Sequence, residues 1–261
     1  MLYIIAFFVI HWYASLFFQT VFLHRYAAHK MFTMSKTMEK VFFVLTFIFQ
    51  GSNYLSAYKY GIMHRLHHAH ADTEDDPHSP KYSENLFDMM WKTKVYYTAM
   101  ADPEKAGVDA KYLKDVPEWH AFDNFANHYL VRITWGVLYT LFYMQFVGDA
   151  YYLYALLPVH YLMSPVHGAI INWFAHKYGY TNFKVSDTSV NLMPIDLFMM
   201  GEGYHNNHHK WGARANFGVR WHEIDPAYQI MKLMNFVGII KMKKPGKIQP
   251  DSKGNKKHAA A

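Results

Sequence analysis

Three short runs of histidine carry the chemistry of this sequence. His24-Arg25-Tyr26-Ala27-Ala28-His29 holds two histidines five positions apart. His64-Arg65-Leu66-His67-His68 and His205-Asn206-Asn207-His208-His209 each hold three in the pattern H-x-x-H-H. On a helix, residues three and four apart project from one face, so each box is expected to aim three imidazoles at one point. Two facing boxes supply six nitrogen ligands and the first run adds two. A zinc site takes about four ligands, so the clustered histidines fit two metals better than one. Imidazole suits iron, copper, zinc and nickel alike, and ligand type leaves the metal open. No carboxylate lies inside the runs, unlike the glutamate-based diiron sites of helix bundles.

The plain alternative is a set of ordinary interfacial histidines. A lone histidine would deserve it; three spaced clusters do not. A membrane metal transporter or metal-binding protein is the stronger rival. Transport calls for ionisable residues lining a path inside the spans, whereas these clusters sit at span ends and beyond them. His11, His160 and His167 are the in-span candidates, and each is expected to be a packed, hydrogen-bonded polar residue.

The elements that must position these groups are apolar. The chain has 261 residues, 52% hydrophobic and 18% aromatic, with a net charge of +6 and no cysteine. Absent cysteine rules out disulfides, thiolate nucleophiles and cysteine-held iron–sulfur centres. Much of the positive charge lies between Lys241 and Lys257, and no basic helix carries interleaved stacking aromatics, so nucleic acid is set aside. Residues 1–23 are uncharged and long enough to span a bilayer; with no basic leader or cleavage site, they read as a retained span. Further spans are expected at 131–147 and 151–172, joined at Gly148-Asp149 as a hairpin. Residues 41–57 read as interfacial or re-entrant. Residues 64–128 and 177–235 are polar, aqueous portions. The expected fold is an all-α integral membrane protein, its spans capped by a cytosolic helical region that holds the histidines. Residues 1–241 form one domain, and 242–261 a basic, disordered tail. Lys30, Lys36, Lys40, Lys59, Arg65 and the basic C-terminus place the boxes on the cytoplasmic face of a multi-pass protein.

In order, HRYAAH, HRLHH followed by ADTEDDPH, NWFAHKYG and GEGYHNNHH resemble the membrane fatty acyl desaturase family, in particular its stearoyl-CoA-like acyl-CoA branch; Arg220-Trp221-His222 matches that branch too. The resemblance covers about residues 5–235. It implies two iron ions held by His24, His29, His64, His67, His68, His176, His205, His208 and His209, with Asn172 holding a metal-bound water. His176 and Asn172 come from the resemblance alone. It also implies the reaction: dioxygen and two electrons are used at a diiron centre to introduce a double bond into a saturated acyl chain, expected as acyl-CoA. The electrons are expected from a separate donor of ferredoxin, rubredoxin or cytochrome b5 type. One departure stands out. The family has two spans before its first box and this chain has one, so either the fold tolerates the loss or an N-terminal span is missing.

Ligating histidines are commonly oriented by carboxylates on their other ring nitrogen. Asp72, Glu74, Asp75, Asp76, Asp187 and Glu202 are near enough in sequence to serve, and Gly201 and Gly203 would let the backbone around Glu202 approach closely. His70, His78 and His222 are not expected as ligands. Phe8, Trp12 and Tyr13 are bulky enough to close the far end of an acyl tunnel. A diiron hydroxylase or alkane monooxygenase is the competing enzyme class.

Overall fold

The uncharged opening stretch forms one continuous helix. In the computed structural model, which describes residues 1–243, α1 (Leu2–Phe18) runs straight into a π-helical segment, Gln19–Ala28. Together they make about 40 Å of helix, and among the described residues this is the one helix long and apolar enough to cross a membrane. The stretch expected as a second span, 131–147, is helical as α6 (Tyr129–Phe146), with Arg132 in its first turn.

The third expected span, 151–172, is not one helix. It breaks into a 3₁₀ turn (Tyr151–Leu156), α7 (Leu157–Tyr161), α8 (Met163–Ala169) and a π turn (Ile170–Phe174). Pro165 explains the break at Leu162. Its ring would strike the carbonyl of Tyr161 in a continuous helix, and it offers no amide to that carbonyl. Leu162 relieves the clash with φ −124° and ψ 23°.

Several of the remaining helices begin at side-chain caps. Ser35 caps α2 (Lys36–Gln50), and Ser56 caps α3 (Ala57–His70), each accepting from an amide of the first turn. Asn85 caps α4 (Leu86–Ala99) in the same way. α5 (His120–Ala126) follows, then the short α9 (His205–Lys210). Asp225 caps α10 (Pro226–Phe236), which has proline at its first position. A two-residue antiparallel ribbon pairs β1 (Phe32–Thr33) with β2 (Lys241–Met242), Phe32 facing Met242. Met242 and Lys243, expected as tail, are therefore held in the fold, Lys243 through its amide to the Met31 carbonyl. The rest of the expected tail lies outside the described residues.

α1 is the central post. It packs against α2, α6 and α8, while α3 lies along its π-helical end. The main core joins Trp12, Leu16, Phe22 and Leu23 of this post to Phe42 and Phe43 of α2, Met199 and Tyr204 before α9, and Met231 of α10. A second core, with Ile4, Tyr143 and Leu157, closes the opposite end. Large apolar side chains stay exposed on three helices: Ile5, Val9 and Ile10 on α1, Val41 and Ile48 on α2, Val137, Leu141 and Met144 on α6. Exposed apolar surface of this extent marks a contact with a partner, a membrane or a ligand.

Candidate metal centre

The first run of histidines owes its geometry to the π-helical turn. On an α-helix, positions five apart lie about 140° apart and point away from each other. In Gln19–Ala28 the pitch widens, the His29 amide donates to the His24 carbonyl at 3.1 Å, and both rings reach one point. Such wide turns concentrate at functional sites. Arg65 of α3 then fastens the second box to this end: its guanidinium donates to the carbonyls of Ala27 and Ala28, which a helix C-terminus would otherwise leave bare, and to those of Tyr112 and Lys114.

The third box is aimed from behind by its two asparagines. Asn206 accepts from the amides of Asn182 and Phe183 and donates to the carbonyls of Phe183 and Ser189. Asn207 donates to the Phe217 carbonyl and to Glu223. Glu223 gathers Tyr180, Asn182 and the amides of Val219 and Arg220 as well. A helix of 6 residues cannot hold itself; this buried network holds it.

All nine histidines expected as ligands converge, in two groups. His24, His29, His64, His68 and His208 form one, and His67, His176, His205 and His209 the other, with ligand atoms within 4.8 Å of one another in each. The expectation that each box aims three rings at one point is corrected here. His64 and His68 serve the first group while His67 turns to the second; His205 and His209 serve the second while His208 turns to the first. Four-residue neighbours stay on one face, but adjacent residues diverge by about 100°. Each box therefore straddles both groups and ties them together.

Four of the six nominated carboxylates orient these rings. Glu202 meets His24 Nδ1 at 2.6 Å, Asp76 meets His67 at 2.9 Å, Asp187 meets His209 at 2.9 Å, and Asp72 meets His176 at 3.3 Å. Glu74 and Asp75 are exposed and take no part. Asp72 also receives Ser79 and the amide and hydroxyl of Thr188. Glu202 is fixed in turn by Arg25, at 2.6 Å, and by Thr20. Arg25 is fully buried. It reaches on to Asp225 at 2.9 Å and lies 3.9 Å over the Phe217 ring. The two glycines flanking Glu202 do permit close packing: a Cβ on Gly201, whose φ is +94°, would come within 2.6 Å of Asp225, and one on Gly203 within 2.7 Å of Asp196.

The electrostatics favour metal. Burial, followed by the charge of neighbouring imidazoles, pushes His29, His64, His68, His205 and His208 well below the usual histidine range. Burial lowers His209 to about 4, against the opposing bond from Asp187. These rings are neutral at neutral pH, the state that binds metal. Burial alone would raise Asp76, but the His67 hydrogen bond and charge overcome it and leave the carboxyl at about 2. Asp72, Asp187 and Glu202 are lowered by their histidine partners in the same way.

An ionised carboxylate accepts only, so His67 and His209 each carry their proton on Nδ1 and leave Nε2 as a bare lone pair. Yet these two Nε2 atoms face each other at 3.3 Å. Across both groups, facing Nε2 pairs stand 2.9 to 3.3 Å apart. Lone pairs so placed repel unless a cation lies between them. Two nitrogens bound at ~2.1 Å to one ion sit roughly 3.0–3.4 Å apart, so the donor set fits a metal pair.

A cavity of about 50 Å³ adjoins the groups. His24, His64, His205, Glu202 and Asn172 line its metal side, and Leu16, Met63, Ile171 and Met199 its apolar side. His78, not expected as a ligand, also lines it; it is buried, stacks on His67 at 4.2 Å and has no partner for either ring nitrogen among the described residues. The Pro77-His78 context gave no spacing signal for this. His70 and His222 are half-buried and outside both groups, and Trp221 is exposed. Trp12 is buried against Phe198 and His167, Phe8 is half-buried, and Tyr13 faces outward.

Comparison with known proteins agrees with this geometry. The model of the fatty acid desaturase family matches residues 1–234. The chain is 27% identical over 225 residues to the sn-1 stearoyl-lipid 9-desaturase of Synechocystis sp., covering 85% of this chain and 65% of that one. It is 30% identical over 226 residues to Delta-9 acyl-lipid desaturase 2 of Arabidopsis thaliana, covering 84% and 68%. It is 27% identical over 225 residues to the acyl-CoA C20 Delta5-desaturase of Anemone leveillei, covering 84% and 67%. The chain thus spans about two thirds of the length of these relatives.

Proposed function

The chain belongs to the fatty acid desaturase family, and on that premise we propose that it introduces a double bond into a fatty acyl chain. The observation that supports this most is the gathering of nine histidines into adjoining groups of five and four beside a part-apolar cavity. In this reading His24, His29, His64, His68 and His208 hold one iron, His67, His176, His205 and His209 the other, and Asn172 a water. When bound, the iron pair supplies the oxidising power, drawn from dioxygen and two electrons, that breaks two unactivated methylene C–H bonds.

The chain's own residues do the rest. Asp72, Asp76, Asp187 and Glu202 keep the proton of their histidines on Nδ1 and the Nε2 lone pair free. Leu16, Met63, Ile171 and Met199 press the reacting methylenes against the histidine groups and keep bulk water out, which fixes orientation at the reacting carbons. Relatives named for acyl-lipid and for acyl-CoA substrates are similar to this chain to a like degree, 30% and 27% identical, so the acyl chain, common to both, is what the site is taken to recognise. Electrons come from a separate protein of ferredoxin, rubredoxin or cytochrome b5 type. The protein crosses the bilayer more than once, through α1, α6 and the α7–α8 pair, with the histidines on the cytoplasmic side beside Lys30, Lys36 and Lys59.

Expression in a bacterial host followed by mass spectrometry of its lipids tests the reading. A new double bond is expected. A new hydroxyl group would assign the chain to hydroxylation instead, and unchanged lipids with bound metal would favour a metal-binding role.

A further inference from the structure

The two groups use histidines at helix ends; three more lie deep between the helices. His11 on α1 and His160 on α7 meet Nδ1 to Nδ1 at 2.6 Å, and the Tyr143 hydroxyl on α6 meets His160 Nε2 at 2.9 Å. His167 on α8 stands edge-on to Trp12. All three imidazoles are buried, and none has a carboxylate partner among the described residues. His167 departs from the expected packed and hydrogen-bonded role, since neither of its nitrogens has a partner there.

These residues belong to two facing stripes. His11, Ser15 and Gln19 follow one another at four-residue steps and share a face of α1. Opposite them lie His160 on α7, which meets His11, and Ser164 and His167 on α8, which packs against α1. Every one of the six is at most 8% exposed. Ser15 Oγ, Ser164 Oγ, Gln19 Oε1 and both nitrogens of His167 have no partner among the described residues. The seam starts beside Tyr143, one turn from the end of α6. It ends where Gln19, His167 and Asn172 line the metal cavity.

Bare polar atoms are costly in a helix able to cross a bilayer, and ionisable residues there ordinarily mark a path for ions or protons. Packing alone would be better served by leucine or phenylalanine. A neutral imidazole always presents one N–H and one lone pair; in His167 both are bare, and a water satisfies both kinds. Imidazoles, hydroxyls and intervening waters pass a proton by exchanging which atom holds it.

The reaction has a use for such a path. The acyl chain gives up two hydrogen atoms. Dioxygen takes these, two electrons from the donor protein and two protons from solvent, and leaves as two waters. We propose that the seam is a hydrated proton path, with the His11–His160 pair as its store and His167 as the last relay before the cavity, and that the two protons consumed per double bond arrive along it. The delivery rests on the desaturase reading above; the hydration of the seam does not.

Two measurements test it. In membranes of the expressing host, fed NADH and oxygen, His167→Phe and His160→Phe each lower the rate of double-bond formation at least ~10-fold, with iron content unchanged and a larger solvent isotope effect in D2O. His160 sits at the far end of the seam, so a purely local disturbance of the metals would not produce that isotope effect. Unchanged rates and isotope effects in both variants overturn the proposal. Separately, purified wild-type protein is held in D2O and exchange of the imidazole C2 hydrogens is read by peptide mass spectrometry. His11, His160 and His167 are expected to exchange; all three remaining unexchanged while the surface residue His120 exchanges fully also overturns it. Absence of any double bond from the wild type would defeat the desaturase reading, with the exchange experiment still deciding the seam.

Discussion

The two histidine groups are supported in opposite ways. The group of four is backed by three carboxylates, Asp72 on His176, Asp76 on His67 and Asp187 on His209. The group of five has a single one, Glu202 on His24, and Arg25 offsets its charge. Among the described residues, no carboxylate meets the Nδ1 atoms of His29, His64, His68 or His208. Where ligands are fewer, buried negative charge is greater; where ligands are more, the support is close to neutral. The two sites would therefore hold their ions with similar total donation but unlike surroundings. Asn172 lines the cavity together with His24 and His64 of the group of five and His205 of the group of four, so this space adjoins both groups.

This contrast can be broken in steps. Removing a ring has the largest effect: His176→Ala or His208→Ala should abolish double-bond formation, and each should lower bound metal by about one ion per chain, read by elemental analysis. Removing a carboxylate comes next. Asp187→Asn should weaken metal binding at the group of four by roughly 10–100-fold, while Glu202→Gln should do so at the group of five; titration with a chelator distinguishes them, and equal loss at both groups in either variant would contradict the separation.

Acid acts more gradually. Buried imidazoles with lowered folded-state values, His209 at about 4 among them, resist protons that the unfolded chain accepts near 6.5. Between those values the unfolded state binds more protons, so stability rises with pH there and is lost as pH falls below about 6.5. Thermal melts of the metal-free protein should shift downward from pH 7 to pH 5, and a flat profile would argue against neutral, buried rings. Trp12→Ala, beside His167 and Phe198, is expected to shift products toward longer acyl chains without changing metal content. Smallest of all, Glu74→Gln and Asp75→Asn should change neither metal content nor rate, because both side chains face solvent.

Much of the site was legible because box spacing is a local property. The i, i+4 pairs His64–His68 and His205–His209 converge as helical geometry requires. The splitting of each box between two groups was not legible, since it depends on where the other helices approach. HRYAAH gave no sign of the π turn that closes its five-residue gap, because that widening is sustained by the Arg25 and Arg65 contacts to distant chain. Sequence proximity nominated six carboxylates without separating Asp72 and Asp76 from Glu74 and Asp75; only burial does that. Asn206, Asn207 and Glu223, which aim the third box, carry no spacing signal, because their partners lie in distant chain. In the fold, the uncharged run 1–23 read correctly as helix and continued to Ala28. The run 151–172 read as one span because apolarity masked the consequence of Pro165.

The account stands most directly on how many metal ions the nine histidines hold. Elemental analysis of protein purified from an iron-supplemented host measures this in one step. Two irons per chain is the predicted result, and one ion per chain in fully folded wild-type protein would contradict it.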